Sequence, residues 1–417
     1  MDLNDWNFNM KIKAYSNELQ IQINDVYSCP GHCPGCSLST LERKSNNSDM
    51  QPITLVNAIE KLKSYVKNFD NLEKINITYG IADHFLMTNE YLENTFHLAA
   101  DLIKDANLVD PHNGVFYSVS MIGKHEKIMD KVRFLHSLSK ERNVPVYFVA
   151  VLDPKNLYHQ TFSKTYSQNI IKTNELIGIL DLSINLSEEA ISFLSPQQLF
   201  EFSLKNNFDK VNINWTPTSD NLEFSYMDNE KLAQWLIDFD KLVATTDMEI
   251  SYRPSMMKII NSIRCQSFSL ENDFQQTLNN YIQEIMYKTF QIDEHGNIFT
   301  HFEGIGDIAH SPRLGFKPLG NVNDNKSILN MITEHMNHTK KIITKEFVME
   351  PCTSCDYNIY CSNTGFHIYN NILRNAVKTR PEFKVKVQSN IDKYGCPHIA
   401  KKMFSYYEKI CESEDKK

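Results

Sequence analysis

Hydrophobic and β-branched residues recur along the first 245 positions in short runs, which are separated by segments with helical spacing. The runs predict six strands, at residues 19–27, 74–80, 115–121, 146–152, 179–186 and 210–215. The segments between them predict helices, at residues 55–69, 91–105, 126–138, 188–205 and 229–242. Strands that alternate with helices in this way predict a parallel sheet with right-handed crossovers.

The number of strands narrows the fold class. A closed TIM barrel needs eight βα units, and this pattern supplies six, so we expect an α/β fold with a partial (β/α)6 TIM-like barrel. A doubly wound sheet is the alternative that the pattern leaves open. In either fold, functional loops are expected at the carboxyl ends of the strands.

The βα rhythm stops beyond Asp247. A hairpin is predicted over residues 290–302, with its turn at His295-Gly296-Asn297. We therefore expect a barrel over residues 1–250, a linker over 251–280 and a small C-terminal domain over 281–411.

Composition and charge limit the partners and the compartment. The chain has 417 residues and a formal net charge of −8, which gives no reason to expect nucleic acid or an anionic membrane as a partner. No run of about 18 apolar residues and no secretory signal is present, so we expect a cytoplasmic protein. Six of the nine cysteines lie in two short segments, which favours metal binding over disulfides in a reducing compartment.

The first cysteine segment, Cys29-Pro-Gly-His-Cys33-Pro-Gly-Cys36, follows the first predicted strand directly. Its prolines and glycines favour tight turns that can point three thiolates at one centre. Three cysteines can ligate three irons of a 4Fe–4S cluster and leave the fourth iron open to a small molecule. A zinc site that also uses His32 is the alternative.

This loop, at the start of a run of βα units, resembles the cluster motif of the radical SAM superfamily. The resemblance covers roughly the first half of the chain. It implies that S-adenosylmethionine chelates the open iron and is cleaved reductively to methionine and a 5′-deoxyadenosyl radical, which abstracts a hydrogen atom from the substrate.

The resemblance also implies which strand ends face S-adenosylmethionine. The residues at the matching places are Gly80 and Asp83 after the second strand, Ser120 after the third and Asp153 after the fourth. Asp83 has a second interpretation, as the N-cap of a short helix. The pattern does not identify a catalytic acid or base.

The second cysteine segment is Cys352-Thr-Ser-Cys355-Asp-Tyr-Asn-Ile-Tyr-Cys361, and Cys396 follows at a distance. Four such cysteines can ligate all four irons of a cluster, and a four-cysteine zinc site is the alternative. The segment resembles the SPASM domain, the auxiliary-cluster extension of radical SAM enzymes that modify peptides. The resemblance implies one auxiliary cluster on these four cysteines, giving two 4Fe–4S clusters per chain, with Cys411 as a competing fourth ligand.

Together these features predict a radical SAM oxidoreductase that oxidatively modifies a ribosomally made precursor peptide. We expect the modification to be a crosslink. Alternatives are a sulfatase-type protein maturase, a small-molecule radical dehydrogenase, or a non-enzymatic zinc or iron–sulfur protein. The expected partners are the precursor peptide or protein and an electron donor such as flavodoxin or ferredoxin. Only 28 residues precede Cys29, so we expect the leader peptide to be bound by this body or by a separate protein.

Overall fold

The computed structural model describes residues 18–27, 49–69, 72–106, 108, 113–122, 124–157, 163–177, 180–186, 188–208, 210–214, 229–250, 287–300, 318–335, 352, 354–357, 361, 381–396 and 399–414. The strands are β1 Glu18–Val26, β2 Lys74–Ile81, β3 Gly114–Val119, β4 Val146–Val151, β5 Leu180–Asn185, β6 Lys210–Asn214, β7 Glu249–Ile250, β8 Thr289–Ile292, β9 Asn297–Thr300 and β10 Gly320–Asn321. The labelled α-helices are α1 Pro52–Val66, α2 Asn89–Asp105, α3 His125–Arg142, α4 Pro154–Leu157, α5 Ser163–Ile177, α6 Glu188–Phe193, α7 Pro196–Lys205, α8 Asn229–Val243, α9 Pro381–Tyr394 and α10 Ala400–Glu414. A 3-10 helix spans His84–Leu86, and residues 328–335 are also helical.

The strands form one sheet in the order β10-β9-β8-β1-β2-β3-β4-β5-β6-β7. From β1 to β7, each strand pairs in parallel with the next one in the chain. A doubly wound sheet would reverse direction at a switch point, and the order of these strands has none. The predicted α/β fold with a partial barrel is therefore confirmed.

The predicted hairpin is formed by β8 and β9, but its place in the sheet was not predicted. β8 pairs in parallel with β1, so that Gln22 lies opposite Gln291. The sheet thus continues across the boundary expected between the barrel and the C-terminal domain, and the division into domains stays a prediction. The expected linker over 251–280 lies outside the described residues.

Alternation along each strand separates two faces of the sheet. In β1, Leu19, Ile21 and Ile23 are buried in the main hydrophobic core, which also contains the apolar faces of the helices. The residues between them, Gln20 and Gln22, point to the opposite face, which we call the inner face. The core therefore lies between the sheet and its covering helices, and the inner face is left for polar side chains.

Two local features correct the predicted helices. Residues 188–205, predicted as one helix, form α6 and α7, because Ser195 and Gln198 make a capping box that starts a new helix with Pro196 in its first turn. Helix α5, between β4 and β5, was not predicted. Within the described part of the chain, no helix combines the length and hydropathy that crossing a bilayer requires.

Candidate functional site

The carboxyl ends of β1, β2 and β3 meet at one edge of the sheet, as parallel neighbours must. Gly80, near the end of β2, lies opposite Asn24 of β1. A Cβ atom on Gly80 would lie 3.1 Å from Ser118 Oγ and 3.5 Å from Gln22 Nε2. The missing side chain therefore leaves space between polar groups on the inner face, as a small-molecule contact at this position would require.

The structure brings two of the predicted site residues together. The Ser120 hydroxyl donates a hydrogen bond to Asp83 Oδ2, and the Phe85 N–H donates one of 3.1 Å to Asp83 Oδ1. Asp83 is thus the N-cap of the 3-10 helix, as its second interpretation states. Burial raises the pKa of Asp83, and the hydrogen bonds from Ser120 and Phe85 oppose that rise. The Asp83 carboxylate is thus hydrogen-bonded inside the fold and fixes the start of the 3-10 helix. Its contact with S-adenosylmethionine stays a prediction.

Asp153 is held by a different set of contacts. Its N–H donates a hydrogen bond of 2.7 Å to the Tyr166 hydroxyl, and its carbonyl accepts one of 3.0 Å from the Leu157 N–H. The side chain is buried at the end of β4, where α4 begins. Tyr166 of α5 therefore fixes the backbone at this strand end.

Sequence reasoning missed the most buried charged group at this edge. His84 Nε2 lies 2.9 Å from Asp25 Oδ1, and the Tyr91 hydroxyl donates a hydrogen bond of 2.7 Å to Asp25 Oδ2. His84 Nδ1 faces the carbonyl oxygens of Ala82 and Ser118, at 3.2 and 3.3 Å. Because both ring nitrogens face acceptors, the protonated ring can donate from both. Burial opposes protonation, but the charge and hydrogen bond of Asp25 outweigh it and raise the pKa of His84.

A β-bulge explains how Asp25 reaches this position. The pairing of β1 with β2 shifts register between Asn24 and Val26, which leaves Asp25 as the extra residue. Asp25 then faces the helix-covered side, where Tyr91 of α2 meets it. The network joins the end of β1 to the 3-10 helix that follows β2 and to α2, four residues before Cys29.

Cys29, Cys33 and Cys36 lie outside the described residues. The contacts that precede them are described: β1 ends at Val26, and the Tyr27 N–H donates a hydrogen bond of 3.4 Å to Asp49 Oδ1. Residues on both sides of the cysteine loop are therefore joined at the carboxyl end of β1.

The C-terminal cysteines include two that are almost completely buried, Cys361 and Cys396. Burial raises the pKa of the Cys361 thiol, and negative charge on Cys396, Cys355 and Cys352 would raise it further. The Cys355 N–H also donates a hydrogen bond of 3.3 Å to the Cys352 carbonyl. Charge on three other thiols therefore reaches Cys361, including that on Cys396, which lies far from it in sequence. The role of these four cysteines as cluster ligands stays a prediction.

The donor chemistry of this group fits a cluster, because thiolate sulfur is the ligand of iron–sulfur centres and mutual repulsion between thiolates is relieved by bound cations. The described cysteines are thiols rather than disulfides. Among the residues that the structure describes, no three His, Cys, Asp or Glu side chains are arranged to hold a metal ion directly. Cys411 is buried in α10, within the main core.

Comparison with solved structures shows which folds this chain resembles. The structure of native anSMEcpe with bound AdoMet and Cp18Cys peptide superposes with a TM-score of 0.55 at 11% identity, over 90% of this chain and 99% of that chain. The chain has a radical SAM fold. Streptococcus suis SuiB shares this radical SAM fold with a TM-score of 0.50 at 13% identity, over 83% of this chain and 72% of that chain. No protein-family model and no curated protein matches the sequence.

Proposed function

We propose that this protein is a radical SAM enzyme that cleaves S-adenosylmethionine reductively and oxidatively modifies a peptide. One combination carries the proposal: a parallel partial barrel whose first strand leads into three cysteines spaced as a cluster motif. The similarity to anSMEcpe over 90% of the chain supports it at the level of the fold. That structure holds AdoMet and a peptide, which supports the same two ligands here.

In this proposal the thiolates of Cys29, Cys33 and Cys36 hold a 4Fe–4S cluster. When bound, the cluster and S-adenosylmethionine would together supply a 5′-deoxyadenosyl radical that abstracts a substrate hydrogen atom. Gly80 leaves room for S-adenosylmethionine. Asp83, Ser120 and Asp153 would face it from the carboxyl ends of β2, β3 and β4. The Asp25–His84 pair positions the end of β1, from which the cluster loop departs.

Cys352, Cys355, Cys361 and Cys396 would hold an auxiliary 4Fe–4S cluster. The electrostatic interaction of Cys361 with Cys396, Cys355 and Cys352 supports this ligand set. A cluster with four protein ligands suits electron transfer, because it offers no open iron to a substrate. It would accept the electron that the substrate radical, left after hydrogen abstraction, must lose to give an oxidised product.

The peptide is the finer part of the proposal. We propose a ribosomally made precursor as substrate and a crosslink as product, formed in the cytoplasm with electrons from a flavodoxin or ferredoxin. The leader of the precursor is bound either by this chain or by a separate leader-binding protein. Binding of a leader peptide to the purified chain would assign recognition to the chain itself, and no binding would assign it to the second protein.

The test is anaerobic reconstitution of the full chain with iron and sulfide, followed by incubation with S-adenosylmethionine and a reductant. The proposal predicts two four-iron clusters per chain and release of 5′-deoxyadenosine. A zinc protein would bind zinc in place of iron and release none. Mass analysis of candidate peptides then separates a crosslinking enzyme from a protein maturase or a small-molecule dehydrogenase.

A further inference from the structure

The inner face of the sheet carries a buried carboxamide, that of Gln291, with no hydrogen-bond partner in the part of the chain that the structure describes. Neither Nε2 nor Oε1 of Gln291 is hydrogen-bonded, although the residue is completely buried. Its neighbours in β8, Phe290 and Ile292, are buried in the main core, and the Phe290 ring contacts Tyr65 of α1 at a centroid distance of 5.5 Å. Gln291 therefore points away from the helices, to the inner face.

A second orphan lies on the adjacent strand. Gln291 is opposite Gln22 of β1, and Gln22 Nε2 donates a hydrogen bond of 2.9 Å to Asn24 Oδ1. Asn24 is also completely buried, and its Nδ2 has no partner among the described residues. Buried amide groups almost always find a partner, so two neighbouring orphans on one face indicate a ligand that supplies the missing bonds.

We propose that Gln291 and Asn24 form a subsite that binds the backbone of the substrate peptide; this inference rests on the function proposed above. Gln22, Thr78 and Gly80, which share the register with them, carry no charge. The nearby buried carboxylate of Asp293 already accepts hydrogen bonds from His295 and Asn297 in the hairpin turn, so the subsite suits uncharged amide groups. Because Gly80 also borders the space proposed above for S-adenosylmethionine, the peptide subsite would adjoin that ligand.

The carboxamide geometry matches an extended peptide. In an extended segment, the N–H and C=O of one residue point to the same side, so they can exchange two hydrogen bonds with a group that has a donor and an acceptor side by side. The Gln291 amide is such a group. It would pair with one residue of the substrate, and Asn24 Nδ2 would donate to a further carbonyl.

The experiment uses the reconstituted full chain and a capped, uncharged probe, N-acetyl-Gly-Ser-Gly-Ser-Gly-Ser-amide. A second probe has the same sequence with its backbone nitrogens methylated, which removes the N–H donors. Affinity for both is measured for the natural chain, for Gln291→Leu, and for Gln388→Leu, a control in which an exposed glutamine is replaced. S-adenosylmethionine affinity and thermal stability are measured on the same samples.

The proposal predicts that the natural chain and Gln388→Leu bind the first probe, and that N-methylation or Gln291→Leu weakens binding roughly tenfold, as expected for one or two hydrogen bonds. It also predicts that Gln291→Leu is at least as thermally stable as the natural chain. Equal binding by Gln291→Leu, no binding of the probe by the natural chain, or a loss of stability beyond that of Gln388→Leu would overturn it. So would a tenfold loss of S-adenosylmethionine affinity, which would assign the amide to that ligand.

Release of 5′-deoxyadenosine by the natural chain keeps the two proposals apart. If none is released, the proposed function fails. If it is released and any of the overturning results is found, the subsite alone fails.

Discussion

His84 and Asp25 form an ion pair inside the protein, with His84 Nε2 2.9 Å from Asp25 Oδ1 and neither side chain exposed to solvent. Burial by itself would lower the pKa of His84, but the charge and hydrogen bond of Asp25 outweigh it, and the pKa is raised. The pair stands where β1 ends and the cysteine loop follows. Its integrity therefore bears on both the stability of the barrel and the position of the predicted cluster.

Asp25→Asn should destabilise the protein strongly, because it leaves a buried imidazolium without a counter-charge. We expect a loss of about 3–5 kcal/mol in the free energy of unfolding, measured by denaturant titration. Asp130→Asn is the matched control, since its partner Arg133 is 63% exposed, and it should cost less than about 1 kcal/mol. Equal losses for the two variants would contradict the buried pair.

The same pair predicts a pH dependence. Since the pKa of His84 is raised in the folded state, its contribution to stability is complete below the ordinary value of 6.5 and is lost as the pH rises through the folded value. The free energy of unfolding of the natural chain should fall over that range by more than that of a His84→Gln variant. Parallel curves would show that His84 is neutral in the fold.

Ser120→Ala tests the contact between two predicted site residues. Removing the hydroxyl leaves the effect of burial less opposed, so the pKa of Asp83 should rise further. An acid whose folded pKa is raised destabilises the fold as the pH rises above its ordinary value of 3.8. The stability difference from the natural chain should therefore widen from acidic to neutral pH, to about 1–3 kcal/mol. Ser137→Ala, at an exposed serine, is the control, and its difference should not change with pH.

Tyr407→Phe tests how the last helix is held against the barrel. The hydroxyls of Tyr406 and Tyr407 in α10 donate hydrogen bonds of 2.8 and 2.9 Å to the buried carboxylate of Asp240 in α8. Losing the buried Tyr407 donor should cost about 1–3 kcal/mol, and losing the half-buried Tyr406 donor should cost less. Hydrogen exchange of α10 should increase in Tyr407→Phe, and unchanged exchange would refute this anchoring.

Cys396→Ala tests the auxiliary ligand set. Without its fourth ligand, the C-terminal cluster should become labile and lose iron or take up an added thiol, while 5′-deoxyadenosine is still released. Iron content and the electron paramagnetic resonance spectrum report the change. If Cys411→Ala lost iron in this way and Cys396→Ala did not, Cys411 and not Cys396 would be the fourth ligand.

Local sequence patterns predicted the barrel well and its contacts poorly. The predicted bounds of β1 to β6 agree with the structure within two residues, because each strand is a short run rich in apolar and β-branched residues. The hairpin turn was also readable, since Gly296 has a φ of +81°, which glycine adopts readily. The pairing of β8 with β1 could not be predicted in this way, because it joins segments that are distant in sequence and leaves no local pattern.

The candidate site shows the same division. Gly80, Asp83, Ser120 and Asp153 were found because they follow strand ends, a position that can be counted along the chain. The Asp25–His84 pair was missed because it depends on a bulge, and a single extra residue in β1 cannot be seen in its sequence. The orphaned amides of Gln291 and Asn24 depend on the unpredicted pairing of β8 with β1.

The most direct test of the central claim is 5′-deoxyadenosine release by the variant in which Cys29, Cys33 and Cys36 are all replaced by alanine. The account predicts that this variant keeps the C-terminal cluster, holds four fewer irons per chain and releases no 5′-deoxyadenosine from S-adenosylmethionine and reductant. Cys396→Ala, prepared in parallel, should still release it. Release by the triple variant at the rate of the natural chain would contradict the assignment of the radical chemistry to this loop.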